Sequence, residues 1–211
     1  KEVEETNDYH SKYYEAMAHS YSTSDPAYSG SAASISTHYG IRSYPSLTYN
    51  FAYSTISSYN AEHIKQQIDK LWKESAEAGI AAATSMATNS VVVNAEVKAA
   101  VTGEYSINAW LLEDGIEAIQ VNGTEDWMDI HNNAIRQAAT TKPITGYELG
   151  NIEAGKTATR VLNLKITTNK WNRDNMKVML IVSKKGDNGV FDVANVVLCD
   201  INDTISYNYN N

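Results

Sequence analysis

The chain has 211 residues, of which 43% are hydrophobic and 20% charged, with a formal net charge of -8. That length allows one large domain or two modest ones. The acidic balance argues against a nucleic-acid partner, which needs a basic footprint, and no run of 18 apolar residues offers a membrane-spanning helix. Cys199 is the only cysteine, which excludes an internal disulfide, a CxxC redox pair and a cysteine-rich zinc site.

The opening Lys1-Glu2-Val3-Glu4-Glu5 is neither a start methionine nor a signal peptide, and reads as a mature form or a piece with its beginning removed. Val3 to about Ala18 reads as a helix, weakened by its Tyr and Thr content. Ten of the 14 tyrosines fall before residue 60. They suit either an aromatic recognition loop or, the reading favoured here, a surface segment whose rings pack down on a sheet. Ala33 to Tyr39 predicts a short helix closed by Gly40. Tyr44-Pro45 then precedes an alternating strand, Leu47 to Phe51. Asn60 caps a helix with Ile64, Ile68, Leu71 and Trp72 at helical spacing, ending at Gly79.

The run from Ala81 to Asn89 is small and featureless, and marks a boundary between residues 1–88 and 89–211. Charge does not separate the halves: 6 basic and 10 acidic side chains precede residue 89, and 11 and 15 follow it, net -4 each. After the boundary, strands are predicted at Val91–Val101, Tyr105–Leu112, Ile116–Val121, Ala134–Thr140, Ala158–Thr167, Met176–Lys184 and Val190–Ile201, with a turn at 185–189. Seven or so strands without a long helix argue for an antiparallel β-sandwich. Trp110, Val178, Leu180, Val193 and Val197 are expected in one core. In Tyr105–Leu112, Ile107, Ala109 and Leu111 alternate with Ser106, Asn108, Trp110 and Leu112, so this strand is expected to be covered on both faces. Glu113-Asp114-Gly115 reads as a hairpin turn into the return strand. The fold class is thus α+β.

Glu125, Asp126, Asp129 and His131 place four potential metal ligands within seven positions. The grouping is too loose for a metal site, and a solvated loop is the expectation. Asp187-Asn188-Gly189 and Asp200 with Asn202-Asp203 are weaker still as calcium sites. No Ser-His-Asp order, phosphate loop, HExxH pair or nucleophile elbow occurs, so no catalytic residue, metal or cofactor is assigned. Arg136 is expected to pair with Glu113 or Asp114, a structural role. Cys199, in an apolar stretch, is expected to be buried and inert.

Pro45, the loop before it, the predicted strand and the closing helix resemble the second half of a thioredoxin-like domain. Together with a sandwich carrying Glu113, Asp114, Ile116 and Gln120, then His131, Asn132 and Arg136, the chain resembles the Omp28-related outer-membrane proteins of Bacteroidetes. That family carries a second histidine where this chain has Asn133. The resemblance implies a partial thioredoxin-like domain at 1–88, a cis bond at Tyr44-Pro45, and a sandwich at 89–211. It implies an exported envelope protein, at the outer membrane or cell surface or in the periplasm, with a lipid anchor and the redox half upstream. Glu113, Asp114, Gln120, His131 and Arg136 become binding candidates for a protein, peptide or glycan. Asp203-Thr204-Ile205 fits the short pattern used for O-glycosylation in these bacteria, with Thr204 the acceptor. The sequons at Asn122 and Asn202 matter only in a eukaryotic secretory pathway. Two functions follow: a non-catalytic binding or structural module, or a relative of thiol–disulfide oxidoreductases whose cysteines lie upstream.

Overall fold

The computed structural model describes residues 3, 5, 6, 9, 11–51, 60–120 and 123–208. In chain order, two helices come first, α1 (Gly30–His38) and α2 (Ala61–Leu71). The strands are β1 (Ala78–Ala87), β2 (Ser90–Ala99), β3 (Gly103–Glu113), β4 (Ile116–Glu117), β5 (Ile130–His131) and β6 (Ala134–Ala138). They continue with β7 (Tyr147–Ile152), β8 (Thr157–Lys165), β9 (Met176–Lys185), β10 (Phe191–Asp200) and β11 (Thr204–Asn208).

Two antiparallel sheets face each other. One runs in the order β11-β1-β2-β8, the other β10-β9-β3-β6, with β7 on the same side of β3 as β6. The core between them takes Ile80, Val91, Val93, Leu162 and Leu164 from the first sheet. Tyr105, Ile107, Leu111, Val178 and Leu180 come from the second. Period-two spacing sends the alternate residues of the second sheet outward, where Trp110, Leu112, Ile135, Met179 and Ile181 form another apolar layer. Ala32 and Ile35 of α1 cover that layer, so β3 is buried on both faces, as its two apolar sets predict.

The sandwich begins at Ala78, not Asn89. The run read as a featureless connection is β1, paired along its whole length with β2 from Ala78↔Ala99 to Ala87↔Ser90 and with β11 on its other side. Alanine is a weak strand former, but here Ile80 and Ala82 alternate into the core, and packing outweighs propensity. The second helix also ends earlier than expected. Trp72 is its C-cap, and Gly79 lies within β1. The expected single core is two: Val178, Leu180 and Val197 lie between the sheets, whereas Trp110 and Val193 lie on the outer face.

Other expectations on the first 60 residues are also revised. The residues described between 3 and 18 form turns and an isolated bridge rather than a helix, and Leu47–Phe51 forms no strand. Tyr44–Pro45 is cis. The helix read at Ala33–Tyr39 starts earlier, at Gly30, because the Ser29 side chain accepts from the Ala32 N–H. Tyr39 closes it, and Gly40 follows at φ +62°. The return strand read at Ile116–Val121 is only β4, which pairs with β5 and not with β3. Val121 and Asn122 lie outside the described residues.

Residues 15–29 pass along the edge strand β6 of the larger sheet as a strap. The Met17 N–H donates to the Asn133 carbonyl (2.8 Å) and the Ile135 N–H to the Met17 carbonyl (3.0 Å), a parallel bridge between Met17 and Ala134. No helix among the described residues is long and apolar enough to cross a membrane.

Candidate functional site

The motif residues converge where β3 ends, β6 begins and the strap passes. Glu113 closes β3 opposite Ala134, and Arg136 lies two residues along β6. Both side chains are almost wholly enclosed, at 4% and 3% exposure. The Arg136 Nε–H donates to Glu113 Oε2 at 2.6 Å, and an Nη1 proton goes to the Pro26 carbonyl of the strap at 2.7 Å. Glu113 Oε1 accepts the Asn172 N–H at 2.8 Å. The guanidinium carbon stands 5.5 Å from the centre of the Trp171 ring. Each buried charge therefore has an opposite partner and a hydrogen bond beyond it, the condition under which an ion pair tolerates burial. Of the two acids expected to take Arg136, Glu113 is the partner.

Asp114 turns the other way. Its Oδ1 accepts the Asn133 N–H at 2.7 Å, and its Oδ2 pairs with Lys177 Nζ at 2.5 Å. Asn133 has φ +54°. That left-handed conformation is one asparagine tolerates better than most residues. Its side-chain amide donates to Glu15 Oε1 on the strap at 3.0 Å.

His131 donates from Nε2 to the Ala118 carbonyl at 2.8 Å. Its ring meets His19 of the strap edge-on, centroids 4.6 Å apart. His19 Nδ1 bonds Asp25 Oδ2 at 2.9 Å. Burial pushes the His19 imidazole below its ordinary 6.5, and His131 and Arg136 add to this against the pull of Asp25. Burial also pushes the Asp25 carboxyl up, but the Ala27 N–H and the His19 ring outweigh it and hold it below its usual value.

The remaining candidates stand apart. Gln120 is exposed, and its backbone N–H donates to Asp129 Oδ1 at 2.7 Å. Tyr44 shares a hydrogen bond with Ser20 at 2.9 Å and meets Tyr21 edge-on. Thr204 is exposed at the start of β11, an edge strand of the other sheet, and its N–H bonds Asp203 Oδ1 at 2.7 Å. Among the described residues no three His, Cys, Asp or Glu side chains gather as a metal would require. Cys199 is 1% exposed, and burial pushes its thiol up, with Thr84 opposing.

Sequence reasoning missed the partners from outside the motif: His19, Asp25, Pro26, Trp171 and Asn172. Ser29 carried a usable signal, as a residue of N-cap type directly before Gly30. The contact of Arg136 with a carbonyl 110 residues earlier had none.

A shallow cleft of about 490 Å³ opens beside this junction. Its lining comes from Tyr28 and the start of α1, from Arg136 and Gln137 of β6, and from Thr167, Thr168 and Trp171 between β8 and β9.

A family model described as outer membrane protein Omp28 matches residues 32–202. Among solved structures, HBP35 of Porphyromonas gingivalis is similar at a TM-score of 0.64 and 16% identity. The match covers 81% of this chain and 57% of that one, so the chain spans little more than half of that protein's length. At that identity the likeness speaks for the fold alone. No curated protein matches.

Proposed function

Because this chain belongs to the Omp28 outer membrane protein family, an exported family of the outer membrane, we propose that it is a non-catalytic module of the cell envelope, a surface protein or lipoprotein that binds or scaffolds. One observation carries this reading: the motif side chains best suited to chemistry are engaged within the molecule. Glu113 and Arg136 hold each other, Asp114 holds Asn133 and Lys177, and His131 holds Ala118. A general acid or nucleophile needs a free face toward substrate, and these residues face one another. Arg136 and Asn133 also tie the strap to the sandwich, through the Pro26 carbonyl and Glu15. What remains for a partner is surface, and a protein, peptide or glycan at the cell surface is the partner class proposed.

The order of α1, the Tyr44–Pro45 loop and α2 supports a partial thioredoxin-like origin for the residues before Ala78, without the strand once expected at Leu47–Phe51. Thr204 is proposed as an O-glycan acceptor. Its exposure at a strand edge supports this, and an intact mass lacking added hexose on protein from its native envelope ends the idea.

The competing reading is thiol–disulfide exchange. Exchange needs an attacking thiolate and a resolving thiol, and burial covers the lone Cys199 and pushes its thiol up. Insulin reduction with dithiothreitol tests this. The expected rate is the background rate, identical for Cys199→Ser. Turnover that disappears in Cys199→Ser overturns the proposal.

A further inference from the structure

We propose that the cleft beside the strap is a binding site for a neutral saccharide. This inference rests on the reading of the chain as a binding module and names the ligand class. Four features of the cleft converge on that class.

The first is charge. Arg136 is the one ionisable cation on the lining, and Glu113 already neutralises it at 2.6 Å. A phosphate or carboxylate would meet no unpaired positive charge, in a chain whose net charge is -8. The second is the pair of aromatic residues, Tyr28 and Trp171, both half-buried and both on the lining. Such rings give apolar area to the C–H faces of a sugar ring and leave its hydroxyls to polar neighbours. Arg136 against the Trp171 ring holds the indole in place.

The third feature is unused hydrogen-bonding capacity of both signs. Ser31 Oγ accepts the Ala138 N–H at 2.9 Å, leaving its hydroxyl proton to donate. Gln137 donates from Nε2 to the Ala138 carbonyl at 2.9 Å, leaving its amide oxygen to accept. Thr167 adds an exposed hydroxyl. Each sugar hydroxyl is donor and acceptor at once, and this lining answers both. The fourth is shape. An apolar ligand wants an enclosed apolar pocket, whereas this cleft is open and lined by hydroxyls, which suits a ligand that stays partly hydrated.

The test uses the intact ¹⁵N-labelled protein, titrated with maltohexaose, laminarihexaose, mannohexaose and chitohexaose, with polygalacturonate as the anionic comparison. The expected result is saturable binding of at least one neutral hexasaccharide, with Kd of about 1 mM. Shifts should centre on the Trp171 indole N–H and the Gln137 amide. Gly30 lies on the cleft, and a Cβ there meets nothing within 4 Å. Gly30→Phe should therefore block the site and weaken binding at least tenfold without lowering the melting midpoint. Thr167→Tyr adds bulk at a second, exposed lining position and serves if Gly30→Phe alone misfolds.

No saturable shift with any of the four, shifts centred elsewhere, binding unchanged in both blocked variants, or binding of polygalacturonate alone would each overturn the proposal. Chromatography of the incubated hexasaccharides separates this from the broader reading. Shortened products would refute the non-catalytic role, while the shift map and the blocked variants still decide the cleft.

Discussion

Removing Arg136 tests the clamp most directly. Arg136→Met keeps the aliphatic volume and deletes the guanidinium, leaving Glu113 at 4% exposure with only the Asn172 N–H. An uncompensated buried charge of this kind costs about 3–5 kcal/mol. The Pro26 carbonyl also loses its donor, so the upper half of that range is expected. For a chain of this size, about 2–4 °C of melting temperature corresponds to each kcal/mol, giving a fall of about 10 °C or more. Glu113→Gln in the same background removes the stranded charge, and the double variant should recover at least about 1–2 kcal/mol over Arg136→Met. Urea unfolding of the four proteins, followed by tryptophan fluorescence, gives the cycle. A single-variant loss under about 1 kcal/mol, or no recovery in the double, would mean the pair is solvated and does not hold the strap.

Gly146 should tolerate no side chain. It has φ +70°, and a Cβ would run into the Ile107 backbone carbonyl and Asn108 Cβ, so Gly146→Ala should lose about 2–3 kcal/mol in the same unfolding assay. Stability should also fall on mild acidification. The folded state holds His19 below its ordinary 6.5, so the unfolded chain binds more protons as the pH drops through that value. The loss starts there and levels off once the folded-state pKa is passed. Asp25 acts in a separate window: its lowered carboxyl contributes stability above its ordinary 3.8, lost as the pH falls through the folded value. His19→Gln should flatten the melting-temperature profile between about pH 7 and 5 and, because the His19 ring helps to hold Asp25 down, also shrink the acid limb, and an unchanged slope between about pH 7 and 5 in that variant would remove His19 from the account.

The strands with clear period-two spacing were legible from the chain alone. Ile107, Ala109 and Leu111 against Trp110 and Leu112 gave both the strand and its double burial, because side-chain alternation is local. β1 was not legible, since an alanine-rich run has no alternation strong enough to see. It is a strand because β2 and β11 flank it. β7 and β11 were missed for a related reason, as Tyr147–Ile152 and Thr204–Asn208 are short and mix Gly, Asn and Ser with their apolar residues. At the junction, the Arg136–Glu113 pairing could be narrowed to two acids from spacing. The strap's part could not, because His19, Asp25 and Pro26 meet it through tertiary contacts that leave no periodic trace.

The strap also sets an order of events. Ser29 and Ser31 find their partners 106 and 107 residues later, at Ile135 and Ala138, and the Asn133 amide reaches back 118 residues to Glu15. Contacts so distant carry a large loop-closure entropy and form late. A chain emerging from its amino end must therefore hold the strap undocked until β6 has been made and placed. Until then the patch of Trp110, Leu112 and Ile135 stays uncovered. The strap is thus made before β6 but locks after it, and chaperones have that interval in which to hold it open.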